Sequence, residues 1–385
     1  MPPMPLTPST ASISVFLPAL EGGGAERAML HLAEGLADRG FKIDLVLAET
    51  KGAYLDTVPS TIRIVDLKAR SPLLVSKTLA LRRYLQQEQP SVLLSALDIL
   101  SSATWAQRLA GASTRIVMCV QTNLSQQFRD HQPHTIGRIR PKLVRLFYPW
   151  ADAIVAASRG VADDVARLTG IPANTIQVIY NPVVTPAVLA KMQQPVDHPW
   201  FAAGEPPVIL GVGRLVSQKD FPTLVEAFAI VRRQRSARLM ILGEGEDRAK
   251  LEAQIHTLGL QDDVALPGFA ENPYAYMAQA NVFALSSIFE GFGNVVAEAM
   301  AAGTTIVSTD CPSGPAEILD GGKYGTLVPM RDAAALAEGL LGALQAPIAP
   351  DVLRQRAQEF SVDRVVDQYL DVLSHLIATD ALRAS

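Results

Sequence analysis

The sequence predicts an α/β fold made of two parallel sheets, each covered by helices. Three observations predict it. Short apolar runs alternate with amphipathic stretches along the chain, the order expected of parallel strands joined by crossover helices. The 385 residues suit two domains rather than one. Hydrophobic residues make up 49% of the chain and aromatics only 6%, a composition that fits large aliphatic cores and excludes a disordered chain.

The elements follow in order. Ile13–Leu17 reads as the first strand, a glycine-rich turn comes next, and a helix runs from about Ala25 to Arg39. Gly40 stops that helix, and Phe41–Leu47 is the second strand. Val92–Ser95, Arg115–Val120 and Ala153–Ala156 continue the same sheet. Residues 182–207 carry Pro182, Pro186, Pro195, Pro199, Pro206 and Pro207, and so read as a linker without regular elements. The second module opens at Val208–Val212 and continues through Leu239–Leu242, Val264–Leu266, Val282–Leu285 and Thr305–Ser308. The last helix, from Ser361 to about Ile377, bears an apolar stripe of Val362, Val365, Val366, Tyr369, Leu370, Leu373 and Leu376. That stripe suits either covering a sheet or crossing back onto the first domain. No short-period repeat or low-complexity tract interrupts the pattern.

Charge is divided unevenly. Residues 1–190 hold 19 Lys and Arg against 14 Asp and Glu, a balance of +5; the remaining 15 and 24 give −9, and together these return the net −4. A basic first half and an acidic second half suggest modules with different partners. The two cysteines, Cys119 and Cys311, form neither a disulfide framework nor a metal-ligand spacing, so they are expected to fill core space in a reducing compartment. The Pro-rich start lacks a basic leader region, and no run of about eighteen apolar residues indicates a membrane span.

Chemistry concentrates in the turns after strands, where open α/β sheets bind ligands. Phe289-Glu290-Gly291-Phe292-Gly293-Asn294-Val295-Val296-Ala297-Glu298 sets two glutamates eight residues apart around a glycine-bracketed turn and a helix start. Glycine lets backbone N–H groups approach a ligand, and the first helical turn favours an anion. Glu298, about one turn in, is placed for a sugar hydroxyl. The segment reads as a site for something anionic and hydroxyl-rich; the alternative is an ordinary strand–turn–helix with surface glutamates. Gly22-Gly23-Gly24-Ala25-Glu26-Arg27 offers amides to a phosphate or a sugar, and is neither a dinucleotide fingerprint nor a P-loop. Gly211-Val212-Gly213-Arg214-Leu215-Val216-Ser217-Gln218-Lys219-Asp220 puts two cations on one post-strand loop in an otherwise acidic half, which suits a diphosphate. Gly243-Glu244-Gly245 could border a nucleotide. After Leu266, Pro267-Gly268-Phe269 could read a base edge with Phe269 on the base face, or Phe269 could be core.

In this order and spacing, the GGGAER turn, the GVGRLVSQKD loop, the Glu290–Glu298 segment and Ser313-Gly314-Pro315-Ala316-Glu317-Ile318 resemble the retaining nucleotide-sugar glycosyltransferases of family four, the group 1 glycosyl transferases. The resemblance covers nearly the whole chain. It implies the GT-B fold: two Rossmann-like domains facing across a cleft, residues 1–185 for the acceptor and 190–361 for the nucleotide sugar, with a C-terminal helix at about 362–385 crossing back to pack on the first.

The resemblance also implies roles. Arg214 and Lys219 would hold the donor diphosphate. Glu298 would bind the ribose hydroxyls and Phe269 would lie by the base. Glu290 and the Gly291, Phe292, Gly293 and Asn294 backbone would meet the donor sugar and diphosphate, while Gly23 and Gly24 close over the phosphates. Glu26 and Arg27 join the acceptor or sugar set. Many relatives place a histidine after the strand corresponding to Arg115–Val120; here Gln121-Thr122-Asn123 stands there, and Asn123 is the candidate for a sugar hydroxyl.

The expected substrates are a nucleotide sugar, most readily a uridine diphosphate (UDP) hexose or N-acetylhexosamine, and a glycan or lipid-linked acceptor. No cofactor or metal is expected: no D-x-D occurs, and the His131/His134 pair around Pro133 reads as a loop. Nucleic acid is not an expected partner. Arg129, Arg138, Arg140, Lys142 and Arg145, interleaved with Leu143, Phe147, Tyr148 and Trp150, suit either an anionic membrane surface or a helix with its aromatic side in the core. The expected location is the cytoplasm, with peripheral attachment to the inner face of the plasma membrane. An epimerase of the same architecture, a glycan phosphorylase and a non-catalytic two-domain binding protein are the competing readings; no pyridoxal-phosphate lysine context supports the phosphorylase.

Overall fold

The apolar runs pair into two parallel sheets in the computed structural model, which describes residues 11–69, 74–99, 101–130 and 135–384. The chain divides into two units: residues 1–182 with 362–385, and residues 183–361.

The first unit holds β1 (Ser12–Leu17), β2 (Lys42–Leu47), β3 (Arg63–Asp66), β4 (Val92–Ala96), β5 (Arg115–Val120), β6 (Ala153–Ala156) and β7 (Gln177–Val178), in the order β3-β2-β1-β4-β5-β6-β7. Its pairings are all parallel, with Ile13 opposite Ile43 and Val92. Side chains alternate across the sheet: Ile13, Val15 and Leu17 enter one core, and Phe16 enters the other. Both faces are covered, which is why these strands read as unbroken apolar runs.

The helix Gly24–Asp38 and the C-terminal helix Val362–Ala384 cover the first of these cores. A Cβ on Gly35 would lie 2.7 Å from both Val362 and Val366, so a glycine is what lets the two helices approach this closely. Arg39 donates to Asp367 at 2.6 Å and to Asp363 at 3.3 Å along the same seam. The apolar stripe of the last helix is thus spent on the first unit.

The second unit holds β8 (Val208–Val212), β9 (Arg238–Leu242), β10 (Val264–Gly268), β11 (Val282–Leu285), β12 (Thr305–Thr309) and β13 (Thr326–Val328), again all parallel, in the order β10-β9-β8-β11-β12-β13. The proline-rich stretch after Pro182 is not featureless. Pro186 opens the helix Pro186–Met192, whose cap Thr185 accepts a hydrogen bond from the Val188 N–H. Proline at a first helical position lacks only an N–H that would be unbonded anyway.

Three strands have no counterpart in the sequence reading: β3, β7 and β13. Each lies at the edge of its sheet and spans four residues or fewer, and β3 and β7 are largely exposed, so they leave no long apolar run to detect. Both cysteines are buried, as their core reading requires, and burial pushes the Cys119 thiol up to about 12 and Cys311 higher still.

Candidate functional site in the second unit

Strand order reverses between β8 and β11, because β8 leads outward to β9 on one side and β11 to β12 on the other. Such a reversal opens a crevice at the carboxyl ends of the two strands. The Arg214–Lys219 loop follows β8 and the Glu290–Asn294 turn follows β11, so the two main sequence candidates flank this one point.

They are bonded to each other. Lys219 Nζ donates to Glu290 Oε1 at 2.5 Å, between side chains 14% and 9% exposed. Gln218 Nε2 donates to the Phe289 carbonyl at 2.9 Å, and the Ile288 N–H donates to the Gln218 carbonyl at 2.9 Å. Ser286 Oγ donates to the Lys219 carbonyl at 2.7 Å, and Ser287 Oγ donates to Glu290 Oε1 at 2.7 Å. Ser287 is itself held by Thr309, whose hydroxyl donates to the Ser287 carbonyl at 2.6 Å. Gln218, Ser286, Ser287 and Thr309 are parts of the site that the sequence reading did not single out. The only sequence signal was the Ser-Ser pair directly after the β11 run.

Neither glutamate is a surface residue. Glu290 is buried, and Glu298 is 2% exposed inside the helix Asn294–Ala302. Gly293 adopts a φ of +90° directly before that helix, and the Val296 N–H donates to its carbonyl. The Gly291 to Asn294 turn is backed by the following loop. A Cβ on Gly314 would stand 1.9 Å from the Phe292 carbonyl oxygen, and the Glu290 N–H donates to the Pro312 carbonyl at 3.1 Å.

Arg214 is exposed on its loop, whereas the alkyl part of Lys219 lies over Gly213, within 3.4 Å of where a Cβ would stand. Asp220 caps the next helix from a φ of +47°, and burial raises its carboxyl pKa above the usual range despite the hydrogen bond from Thr223. Gly243 and Gly245 serve packing, since added Cβ atoms would meet the Gly213 carbonyl at 1.9 Å and the Leu215 carbonyl at 2.3 Å. The G-x-G motif therefore seats the cation loop from behind. Phe269 is 65% exposed beyond β10, which removes the reading of it as a core residue. Beside it, Arg248 forms a two-bond pair with Glu244 at 2.8 and 2.7 Å.

A groove of about 620 Å³ runs by Leu189, Met192, Ala301 and Arg354, at the far end of the helix Asn294–Ala302. It contains none of the candidate residues.

In the first unit the glycine turn lies after β1, at the reversal between β1 and β4. The Glu26 carboxylate accepts from the Gly22 N–H at 2.8 Å and the Gly23 N–H at 3.1 Å. An internal carboxylate thus occupies two of the amides expected to face an anion. Arg27 stacks over Tyr54 at 5.6 Å from the ring centre, and Tyr54 donates to the Gly22 carbonyl. Asn123 is buried, and its Oδ1 accepts from the Gln126 N–H at 3.1 Å, so that oxygen caps the helix Leu124–Asp130. Gln121, two residues earlier, is also buried, with its amide nitrogen 3.8 Å from the Met29 sulfur.

The basic–aromatic segment divides. Val144, Phe147 and Tyr148 are buried; Trp105, Phe147 and Trp150 pack edge to face with centroids 4.8–5.0 Å apart, under Arg108. Arg129, Lys142, Arg145 and Leu146 remain exposed. His131, Pro133 and His134 lie outside the described residues. Among the described residues there is no cluster of three metal-ligating side chains, and no helix is long and apolar enough to cross a membrane.

Two units, each a parallel sheet with strand-end turns carrying glycines and charges, define the class: a Rossmann-type α/β protein of the GT-B kind. The family model described as Glycosyltransferase Family 4 matches residues 22–185, and that described as Glycosyl transferases group 1 matches residues 195–360. The chain belongs to these glycosyltransferases. Among curated relatives, the N-acetylgalactosamine-N,N'-diacetylbacillosaminyl-diphospho-undecaprenol 4-alpha-N-acetylgalactosaminyltransferase of Campylobacter jejuni is 29% identical, covering 86% of this chain and 90% of its own. The lipopolysaccharide core biosynthesis glycosyltransferase LpsE of Rhizobium meliloti is also 29% identical, covering 91% and 96%. The solved structure of Anabaena HepE in complex with UDP and glucose superposes with a TM-score of 0.74 at 21% identity, covering 94% of this chain and 99% of that one.

Proposed function

We propose that the protein is a retaining glycosyltransferase. It moves a hexose or N-acetylhexosamine from a UDP-sugar to a glycan or lipid-linked acceptor in the synthesis of a polysaccharide, lipopolysaccharide or related glycoconjugate. The observation that carries this reading is the Lys219–Glu290 pair at the β8/β11 reversal, with Arg214 on the same loop and the Asn294–Ala302 helix start beside it. The relatives named above act on lipid-linked or lipopolysaccharide glycans, and HepE was solved with UDP and glucose, which supports the acceptor and donor classes.

The roles follow from charge. Cleavage of the sugar–phosphate bond leaves negative charge on the nucleoside diphosphate and positive charge at the sugar carbon. Arg214, Lys219 and the N–H groups at Asn294 meet the departing charge from fixed positions, a preorganised electrostatic contribution. With that charge met by side chains and amides, the reaction needs no metal. Glu298 takes the ribose hydroxyls, exposed Phe269 lies along the base, and Glu290 with the Gly291–Asn294 turn holds the donor sugar. In the first unit, Gly23 and Gly24 offer amides for a phosphate, and Glu26, Arg27 and Asn123 polar groups for a sugar or the acceptor, once a ligand displaces the internal bonds to Glu26. The acceptor attacks on the face the diphosphate leaves, so the anomeric configuration is kept.

The experiment is a panel of nucleotide sugars ranked by thermal shift, followed by mass spectrometry with lipid-linked acceptors. A new α- or β-glycoside of the donor's own configuration is expected. A freed epimer, a sugar phosphate or an inverted glycoside would overturn the reading. We further place the protein in the cytoplasm, touching an anionic membrane through Arg129, Lys142, Arg145 and Leu146, the last 57% exposed. Flotation with anionic vesicles at low salt, lost at high salt, is the expected result; no flotation at low salt would exclude the contact.

A further inference from the structure

Glu290 Oε1 receives two donors, Lys219 Nζ at 2.5 Å and Ser287 Oγ at 2.7 Å. The two donors differ in kind. Lys219 ends a flexible stem whose charge the proposed reaction needs at the diphosphate. Ser287 is fully buried two residues past β11, and its carbonyl is pinned by the Thr309 hydroxyl at 2.6 Å. One hydroxyl therefore stays with the carboxylate whatever the lysine does.

We propose that Ser287 is a positioning residue: it keeps the Glu290 carboxylate in place while Lys219 gives its charge to the leaving diphosphate. This rests on the reading of the site given above. When a diphosphate draws Lys219 away, a buried carboxylate loses its cation and gains an anionic neighbour. Both changes push Glu290 to rotate away from the ligand. The Ser287 hydrogen bond, charge-assisted and held through the Thr309 hydroxyl on the Ser287 carbonyl, opposes that rotation. Its partner Ser286 acts on the other side of the pair, holding the Lys219 backbone through its carbonyl so that only the lysine stem moves. The need rises as the sugar–phosphate bond breaks, because the diphosphate carries more charge in the transition state than in the bound nucleotide sugar. Loss of the hydroxyl should therefore lower kcat more than it raises the donor KM.

The test uses whichever of UDP-glucose, UDP-galactose, UDP-N-acetylglucosamine and UDP-N-acetylgalactosamine the protein turns over fastest, read as UDP release. Ser287→Ala is expected to lower kcat roughly tenfold or more, the cost of one hydrogen bond to a charged group, with donor KM changed less than about twofold. In a Glu290→Ala background, which leaves Ser287 no acceptor at that position, the same substitution should alter kcat less than about twofold, because the residue acts through Glu290. Ser287→Cys keeps the volume but donates poorly and should follow Ser287→Ala, which separates the hydrogen bond from packing if the alanine variant folds badly. Unchanged kcat in Ser287→Ala, full activity in Ser287→Cys, or an equal loss in the Glu290→Ala background would each overturn the positioning role alone. A wild-type protein that binds no UDP by calorimetry would instead overturn the donor-site reading, and this inference with it.

Discussion

Replacing Glu290 by glutamine should make the protein a poorer enzyme and a better binder of UDP. Without a ligand Lys219 is already neutralised, with its ammonium 2.5 Å from Glu290 Oε1 and both side chains mostly buried. A diphosphate must compete with that carboxylate for the lysine and approach a fixed negative charge. At an effective dielectric near 20, two unit charges 4 Å apart interact by about 4 kcal/mol. Partial solvation and sharing of the lysine reduce what reaches the ligand. Removing the charge of Glu290 should therefore strengthen UDP binding by about 1.4–2.8 kcal/mol, a factor of roughly 10–100. Glutamine keeps the shape and can still accept from Ser287, so the turn should hold. The unliganded variant should lose stability, because breaking a buried pair leaves an uncompensated charge, typically at about 3–5 kcal/mol. UDP, lacking the sugar, avoids the contact that Glu290 is proposed to make with the donor. Calorimetry at low and high salt, with donor turnover measured alongside, gives both quantities. An unchanged or weaker UDP affinity at low salt in a folded variant would refute the claim that Glu290 and the diphosphate compete for one lysine.

The remaining predictions address other parts of the site. Arg214→Ala should cut kcat/KM by roughly 100-fold or more, as loss of a transition-state donor does, yet leave the melting temperature unchanged because the side chain is exposed; wild-type turnover would remove its assigned role. Glu298→Gln should weaken UDP binding by roughly tenfold, the scale of a hydrogen bond to a charged group, and a 2′,3′-dideoxy analogue should bind both proteins equally; a persisting difference with that analogue would show that Glu298 does not read the ribose. Gly243→Ala should displace the cation loop, since its Cβ would stand 1.9 Å from the Gly213 carbonyl, and UDP binding by thermal shift should be lost; retained affinity would contradict the seating role. Burial raises the Asp220 pKa above its ordinary value near 3.8, so the charged form is the less stable one in the fold. Its contribution to stability is thus full below that value and is lost as pH rises through the folded pKa. Asp220→Asn should accordingly raise the unfolding midpoint at pH 7.5, with a smaller gain near pH 4; equal gains would point to the backbone preference at φ +47° instead.

Much of the fold was legible because its signals are local. The central strands of both sheets are covered on two faces, so their apolar runs stand out, and the glycine turns mark their carboxyl ends. The motif segments themselves were readable for the same reason. Single residues were harder to interpret, because their partners come from elsewhere in the fold or from a neighbouring turn. That the Asn123 oxygen caps the following helix, and that Glu26 accepts from the Gly22 and Gly23 amides, shows only in the fold. Gly243 and Gly245 looked like nucleotide neighbours, yet their missing Cβ atoms are required by the backbone of another loop.

The amino-acid order alone determined that this chain would form two helix-covered parallel sheets with glycines and charges in the turns after their strands. Hydrophobic period and turn chemistry act over a few residues, and need no knowledge of which strand neighbours which. Only the tertiary structure decided that Lys219 and Glu290, 71 positions apart, form one ion pair. It also decided that Ser287 supports the pair and that β3, β7 and β13 complete the sheet edges. Those outcomes depend on strand order, with β8 beside β11, and pairing across a sheet leaves no periodic trace in either partner's own sequence.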